Sequence, residues 1–137
     1  MVKKRTQNKF ENAAISGVRL AFSRYSPKYG EVWEKARVEL EKPPLKDGSP
    51  AKTKAVRRWC AKCGFLEKNE KADVDHKIPV IPIGKTRHDF TLGEYIDMVD
   101  CDISNLWVLC EKCHNFKSAI EREERKKFKN KLKSEKK

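Results

Sequence analysis

Apolar residues recur every three or four positions along the first forty residues, which is the spacing of one face of an α-helix. The first stripe consists of Phe10, Ala14, Val18, Phe22 and Tyr25. After Ser26-Pro27, the second stripe consists of Tyr29, Val32, Trp33, Ala36 and Leu40. The pattern predicts two helices packed as an antiparallel pair, within a basic helical extension over residues 1–45.

The pattern changes after an exposed linker at residues 46–50. Short apolar runs at 72–80 and 105–109 predict two strands, and residues 91–99 predict a short helix between them. A further helix is expected from about His114. Beyond Arg125 the apolar residues nearly vanish, so residues 126–137 are expected to form a basic, disordered tail. The predicted fold class is α+β, with the main core at residues 55–125.

The charge of the chain is concentrated at its two ends. The 137 residues contain 32 Lys and Arg against 20 Asp and Glu, a net charge of +12. Residues 1–42 carry a net +5 and residues 117–137 a net +6, whereas residues 43–116 carry only +1. Basic flanks around a nearly neutral body suit a polyanion such as nucleic acid, although a solubilising surface or anionic lipid would give the same pattern. No secretory signal or membrane span is evident, so we expect a cytoplasmic protein without membrane association.

Four of the five cysteines form two Cys-x-x-Cys pairs, Cys60/Cys63 and Cys110/Cys113. In a reducing compartment such pairs hold metal more often than disulfides, and two of them complete a tetrahedral zinc site. A thioredoxin-like redox pair needs only one such motif. The spacing therefore predicts a structural Zn²⁺ site, with Cys101 left outside it.

The two pairs are separated by 46 residues, far more than the roughly 15–20 of a simple zinc ribbon. The intervening segment contains Asp75-His76, and His114 directly follows Cys113. Pinning by zinc would bring these three side chains together. One carboxylate and two imidazoles are what a one-metal phosphodiester hydrolase requires.

The run Cys60-x-x-Cys63, Val74-Asp75-His76, Asn105-Leu106-x-x-Leu109-Cys110-x-x-Cys113-His114-x-x-Lys117 resembles the HNH endonucleases, also called ββα-metal or His-Me finger nucleases. The chain is most similar to the small, zinc-stapled HNH proteins of bacteriophages. The matching positions span residues 59–117. The 28 residues between His76 and Asn105 exceed the separation in many members of the family, and the role of the excess, residues 83–100, is undetermined.

The resemblance implies a catalytic role for four residues. His76 would be the general base, and Asn105 would brace the loop that holds it. Asp75 and His114 would bind the catalytic ion, Mg²⁺ with Mn²⁺ or Ni²⁺ as substitutes.

The resemblance further implies double-stranded DNA as the substrate, with products carrying 5′-phosphate and 3′-hydroxyl ends. Lys117, Arg57 and Arg58 are the predicted nucleic-acid contacts. Phage packaging proteins are candidate partners, and the host-cell cytoplasm would then be the location.

Several alternatives stay open at the level of sequence. The chain could be a non-catalytic zinc module that binds DNA or a protein, or a ribonuclease built on the same site. His114 could replace a cysteine at the zinc. His88, in a polar loop, is expected to be merely exposed.

Overall fold

The computed structural model describes residues 2–136, with side chains from residue 8 onward; Met1 and Lys137, at the outer ends of the predicted extension and tail, lie outside the described residues. The helices are α1 (Val2–Tyr25), α2 (Pro27–Lys35), α3 (Leu92–Val99) and α4 (Glu111–Glu135). The strands are β1 (Arg37–Leu40), β2 (Ala55–Cys60), β3 (Gly64–Phe65), β4 (Ala72–His76) and β5 (Leu106–Cys110). This mixture confirms the α+β class. Among the described residues, no helix is both long and apolar enough to cross a membrane.

The amino-terminal third forms the two predicted helices, but the second is shorter than its apolar stripe. Pro27 occupies the first turn of α2, where its missing N–H costs nothing. The helix ends at Lys35 rather than near Leu40. Residues 37–40 instead form β1, antiparallel to β2, with Leu40 opposite Ala55. The prediction of a helix to Leu40 is wrong because pairing with a distant strand satisfies the backbone there.

Two antiparallel strands and the helix that follows them make up the central unit. In β4 and β5, Ala72 lies opposite Cys110 and His76 opposite Leu106. Residues Leu106, Val108 and Leu109 of β5 are buried, so this short strand has almost no solvent-facing side. The chain then passes from β5 directly into α4, and α4 packs against both strands. The end of β4 is thereby placed beside the start of α4.

The buried residues divide into two clusters. The larger joins α1, α2 and α3 to the β4–β5 pair and comprises Phe22, Val32, Val74, Val80, Tyr95, Val99, Leu106 and Val108. The smaller surrounds the cysteine pairs and comprises Cys60, Leu66, Leu109 and Cys110. The cysteine region is thus stabilised by only four buried side chains, which is little for a hydrophobic core.

The carboxyl-terminal helix continues well past the point where the sequence predicts a disordered tail. Residues 126–135 remain helical as part of α4. The Arg125 guanidinium donates to the carbonyl oxygens of Ile81 and Pro82, and the Phe128 ring lies directly over Gly84. These contacts with a distant loop give the tail a tertiary partner, which its low apolar content does not reveal.

Candidate metal centre and catalytic cleft

The two Cys-x-x-Cys pairs lie at strand ends that meet. Cys60 is the last residue of β2, and Cys110 ends β5 and caps the amino terminus of α4. The backbone N–H of Cys63 donates to Cys60 Sγ at 3.5 Å, and that of Cys113 donates to Cys110 Sγ at 3.4 Å. Each pair therefore forms a tight turn that points both sulfurs to the same side.

The four sulfur atoms of Cys60, Cys63, Cys110 and Cys113 all lie within 4.8 Å of one another. A tetrahedral zinc ion with Zn–S bonds of about 2.3 Å needs sulfurs about 3.8 Å apart. Cys63 Sγ and Cys110 Sγ are 3.6 Å apart, close to that value. The donor set and its spacing fit a metal such as zinc. His114 is not part of this cluster, which leaves the four cysteines as its ligands.

The thiols of this cluster do not ionise equally readily. Burial opposes the ionisation of Cys60, but hydrogen bonds from the backbone N–H groups of Cys63 and Cys110 lower the pKa of Cys60 to about 6. Hydrogen bonding to Cys60 and Cys110 raises the pKa of Cys63 to about 12. Bonding to Cys110 likewise raises the pKa of Cys113. One thiolate therefore forms readily, and a divalent cation would be needed to stabilise all four.

The side chain of Asp75, on β4, faces the start of α4. Asp75 Oδ1 lies 3.6 Å from His114 Nε2, and Asp75 Oδ2 lies 3.2 Å from Lys117 Nζ. Oδ2 is buried and, among the described residues, accepts no well-oriented hydrogen bond despite the nearby ammonium. Such an oxygen is costly unless a cation neutralises it.

The Asp75 carboxylate and the His114 imidazole are close enough together to be considered as ligands of a second, harder metal ion. Ligands of one ion with bonds of about 2.0–2.1 Å lie about 3 Å apart when adjacent and about 4 Å apart when opposite. The 3.6 Å between Asp75 Oδ1 and His114 Nε2 lies between these two distances, so the two side chains would have to shift by about half an ångström to hold such an ion. Within residues 2–136, only the four cysteines bring three or more metal-ligating residues together. This second site would therefore have two protein ligands and leave its other positions to water and substrate.

Lys117 is held by two carboxylates rather than free at the surface. Burial opposes its charged form, but the hydrogen bond to Glu121 and the charge of Asp75 outweigh burial and raise the pKa of Lys117. Its side chain is 19% exposed. Lys117 therefore remains an ammonium beside Asp75, where a metal ion would have to compete with it.

The His76 imidazole, half-buried at the end of β4, is fixed by a backbone carbonyl. His76 Nε2 lies 2.6 Å from the carbonyl oxygen of Val99. Because a carbonyl only accepts hydrogen bonds, Nε2 must carry the proton, and Nδ1 of the neutral ring is the unprotonated nitrogen. No hydrogen bond within the described chain occupies Nδ1. This tautomer leaves Nδ1 able to accept a proton.

Asn105 is hydrogen-bonded to the loop that follows His76. Its side-chain Oδ1 accepts from the N–H of Ile78 at 2.9 Å, and its backbone carbonyl accepts from the N–H of Lys77 at 2.7 Å. Its amide Nδ2 donates to Cys101 Sγ at 3.6 Å. Cys101 thus lies apart from the four-cysteine cluster and contacts Asn105.

The two predicted arginine contacts on β2 have different surroundings. The Arg58 guanidinium lies 4.5 Å over the Trp33 ring and 3.6 Å from Glu34 Oε1, and its side chain is 18% exposed. Arg57 makes only a hydrogen bond to the carbonyl of Val56, its sequence neighbour. Arg58 is therefore engaged in packing α2 against the sheet, while Arg57 is the more available of the two.

Asp75, His76 and His114 line one open cleft of about 530 Å³. Its other charged lining residues are five cations, Arg19, Lys85, Arg87, Lys117 and Arg125, and one anion, Glu121. Sequence reasoning missed Lys85 and Arg125 as members of this site; the only signal was the basic character of the loop and of α4. His88 lies outside the cleft, in a separate groove beside Phe10. The cleft thus combines the candidate catalytic groups with a positively charged rim.

Comparisons of the chain with family models, with curated proteins and with solved structures give no match. What the chain does is therefore inferred from its own side chains, chiefly the four-cysteine cluster and the adjoining cleft.

Proposed function

We propose that this protein is a metal-dependent HNH-type endonuclease that hydrolyses DNA phosphodiester bonds. The observation that most supports this proposal is the 3.6 Å separation of Asp75 Oδ1 and His114 Nε2 in the cleft that also contains His76. The order β4–β5–α4 supports the proposal, since a ββα-metal core places its metal between a strand pair and the following helix. The neighbouring cysteine cluster would act as a structural zinc staple.

Asp75 and His114 would hold the catalytic cation, and a carboxylate ligand favours Mg²⁺, with Mn²⁺ or Ni²⁺ as substitutes. When bound, such an ion stabilises the charge that develops on the phosphate and the departing 3′-oxygen. Asp75 is 15% exposed and His114 is 48% exposed. The pair would therefore present one largely buried and one accessible ligand to the cleft.

His76 would act as the general base through Nδ1. Because its Nε2 donates to the Val99 carbonyl, the Nδ1 lone pair is available to take a proton from the attacking water. Asn105 would keep the base in place through the loop at Lys77 and Ile78.

The cations of the cleft rim suit a DNA backbone as the substrate. Arg19 and Arg87 are held by Tyr95 and Asn12 respectively, so the two guanidinium groups are already ordered. Ordered cations bind phosphates without a large further loss of side-chain entropy. Backbone contacts of this kind predict weak sequence preference and strong dependence on salt.

The proposal is tested by incubating supercoiled plasmid with zinc-loaded protein and Mg²⁺. We expect nicking or linearisation by the unaltered protein, none with EDTA, and a loss of at least about a hundredfold in His76→Ala. His88→Ala is the matched control, because His88 lies outside the cleft, and it should cleave normally. Equal activity of His76→Ala and the unaltered protein would exclude His76 as the base.

One observation favours a second candidate, a zinc-stabilised module that binds DNA without cutting it. The Lys117 ammonium already partly neutralises Asp75, so the cleft can exist without a second ion. Such a module would bind labelled duplex DNA in an anisotropy titration but leave plasmid intact with Mg²⁺, Mn²⁺ and Ni²⁺. Cleavage with any of these ions would exclude it.

A further inference from the structure

We infer that Asp100 and Ser26 are positioning residues for His76, because they anchor the end of α3 whose Val99 carbonyl holds the imidazole. The inference rests on the proposed function, in which His76 is the base. It assigns a role to residues 83–100, which the resemblance leaves unexplained, and to the basic helical extension.

The contact between His76 and Val99 joins two parts of the chain that are 23 residues apart. Val99 is 1% exposed and lies within the larger core cluster. Its carbonyl is at the carboxyl-terminal end of α3, where helix carbonyls lack intrahelical partners and are free to accept from a side chain. The position of the imidazole therefore depends on where α3 ends.

That end of α3 is fastened to the corner between α1 and α2. Ser26 Oγ donates to Asp100 Oδ1 at 2.5 Å. Lys28 Nζ donates to the backbone carbonyl of Asp100 at 2.9 Å, and lies 3.7 Å from Asp100 Oδ2. Both the side chain and the backbone of the residue directly after Val99 are thus held by the corner.

Ser26 makes this contact instead of its usual local one. It occupies the position before the first turn of α2, where a serine hydroxyl commonly accepts from a helix N–H, and here it makes no such bond. Ser26 therefore bonds to a residue 74 positions away rather than capping α2, which indicates that the long-range contact is important for the structure.

The same corner also contacts the imidazole directly. The Phe22 ring, near the end of α1, has its centroid 5.3 Å from that of His76. The extension and α3 therefore enclose His76 from two sides, Phe22 through ring packing and Asp100 through the Val99 carbonyl. The extension would thus complete the active site, in addition to supplying basic charge for DNA.

The first test compares steady-state cleavage by Asp100→Ala, Ser26→Ala and Asp100→Asn. For both alanine variants we expect kcat to fall by about 10- to 100-fold with KM for DNA unchanged, since only the base is misplaced. Asparagine keeps the Oδ1 acceptor for Ser26, so Asp100→Asn should recover most of the activity. Asp97→Ala, on the exposed side of α3, is the control for general effects on the helix. A rise in KM with kcat unchanged would overturn the inference.

The second test does not depend on cleavage. The chain has three histidines, so ¹⁵N NMR of the neutral rings in zinc-loaded protein can assign the tautomer of His76. We expect a fixed Nε2–H tautomer in the unaltered protein and a mixture of tautomers in Asp100→Ala. A fixed Nε2–H tautomer in Asp100→Ala would overturn the inference, even if its activity fell. If the unaltered protein cleaved no DNA, the proposed function would fail, and this measurement would still decide the positioning role.

Discussion

The Lys117 ammonium lies 3.2 Å from Asp75 Oδ2, on the carboxylate whose other oxygen is 3.6 Å from His114. A cation supplied by the chain therefore already occupies one side of the candidate metal site. Lys117 also forms an ion pair with Glu121, which keeps it in place. Binding of a divalent ion at Asp75 must work against this positive charge.

We therefore predict that Lys117→Met increases the affinity for divalent ions in the cleft. An ion pair of this partly exposed kind is worth up to about 1 kcal/mol, so Mn²⁺ affinity should rise by up to about fivefold. Isothermal titration of zinc-loaded protein with Mn²⁺ measures the change. Lys112→Met, an exposed lysine of α4, is the control and should leave the affinity unchanged. Weaker Mn²⁺ binding by Lys117→Met would show that Lys117 does not oppose the ion.

The four-cysteine cluster predicts about one zinc per chain and a fold that depends on it. Structural zinc supplies folding free energy directly, and apart from the cysteines only two buried side chains, Leu66 and Leu109, stabilise this region. Cys60→Ala should therefore lose the metal and the cooperative thermal transition of the protein. Metal analysis and circular dichroism measure both, with Cys101→Ser as a control that keeps its zinc. A full complement of zinc in Cys60→Ala would contradict a four-cysteine site.

The different surroundings of Arg58 and Arg57 predict that their replacement by alanine lowers the free energy of unfolding by different amounts. Arg58→Ala removes the guanidinium over the Trp33 ring and should lower the free energy of unfolding by about 1–2 kcal/mol. Both the cation–π contact and the packing of the aliphatic part of the side chain are lost. Arg57→Ala should change stability by less than about 0.5 kcal/mol. Urea denaturation of the two variants makes the comparison. Equal destabilisation of both would show that the stacking on Trp33 contributes little.

The contact between Phe128 and Gly84 predicts that α4 holds the loop next to the cleft. Gly84 has a φ of +89°, and an added Cβ would lie 2.8 Å from the Phe128 ring. Gly84→Ala should cost about 1–2 kcal/mol for the backbone conformation and up to about 1 kcal/mol more for the collision, because the exposed Phe128 ring can move.

Gly48 provides the control for this prediction, because it has a φ of +85° and an added Cβ would meet nothing within 4 Å among the described residues. Gly48→Ala should show the backbone cost alone. In a Phe128→Ala background, the cost of Gly84→Ala should fall to that of Gly48→Ala. An unchanged difference between the two glycines in that background would mean that Phe128 does not pack on the loop.

Local patterns predict the elements with their own strong signals. The residues of α3 carry a helical stripe, and Thr91 with Glu94 forms a capping box before it. The paired strands β4 and β5 follow from short apolar runs. By contrast, residues 37–40 fit both a helical stripe and a strand, and only pairing with β2 decides between them. The helix beyond Arg125 likewise depends on a distant loop that the sequence does not identify.

The candidate site divides in the same way. The approach of Asp75 and His114 is predictable, because the cysteine pairs fix the ends of the segments that carry them. The contact between His76 and Val99 could not be predicted, because no sequence pattern indicates which backbone carbonyl a side chain will bond to. The packing of Arg58 on Trp33 could not be predicted either. The sequence does not distinguish an exposed arginine from a stacked one, because the fold of the sheet decides which neighbours it has.

Mn²⁺ binding to the zinc-loaded protein tests most directly whether Asp75 and His114 share an ion. Pulsed electron paramagnetic resonance of protein with ¹⁵N-labelled histidine should detect one bound Mn²⁺ coupled to an imidazole nitrogen. The coupling should disappear in His114→Ala and the binding weaken strongly in Asp75→Asn, while His88→Ala keeps both. Absence of Mn²⁺ binding in the unaltered protein, or a coupling that survives the loss of His114, would contradict a catalytic metal site in this cleft.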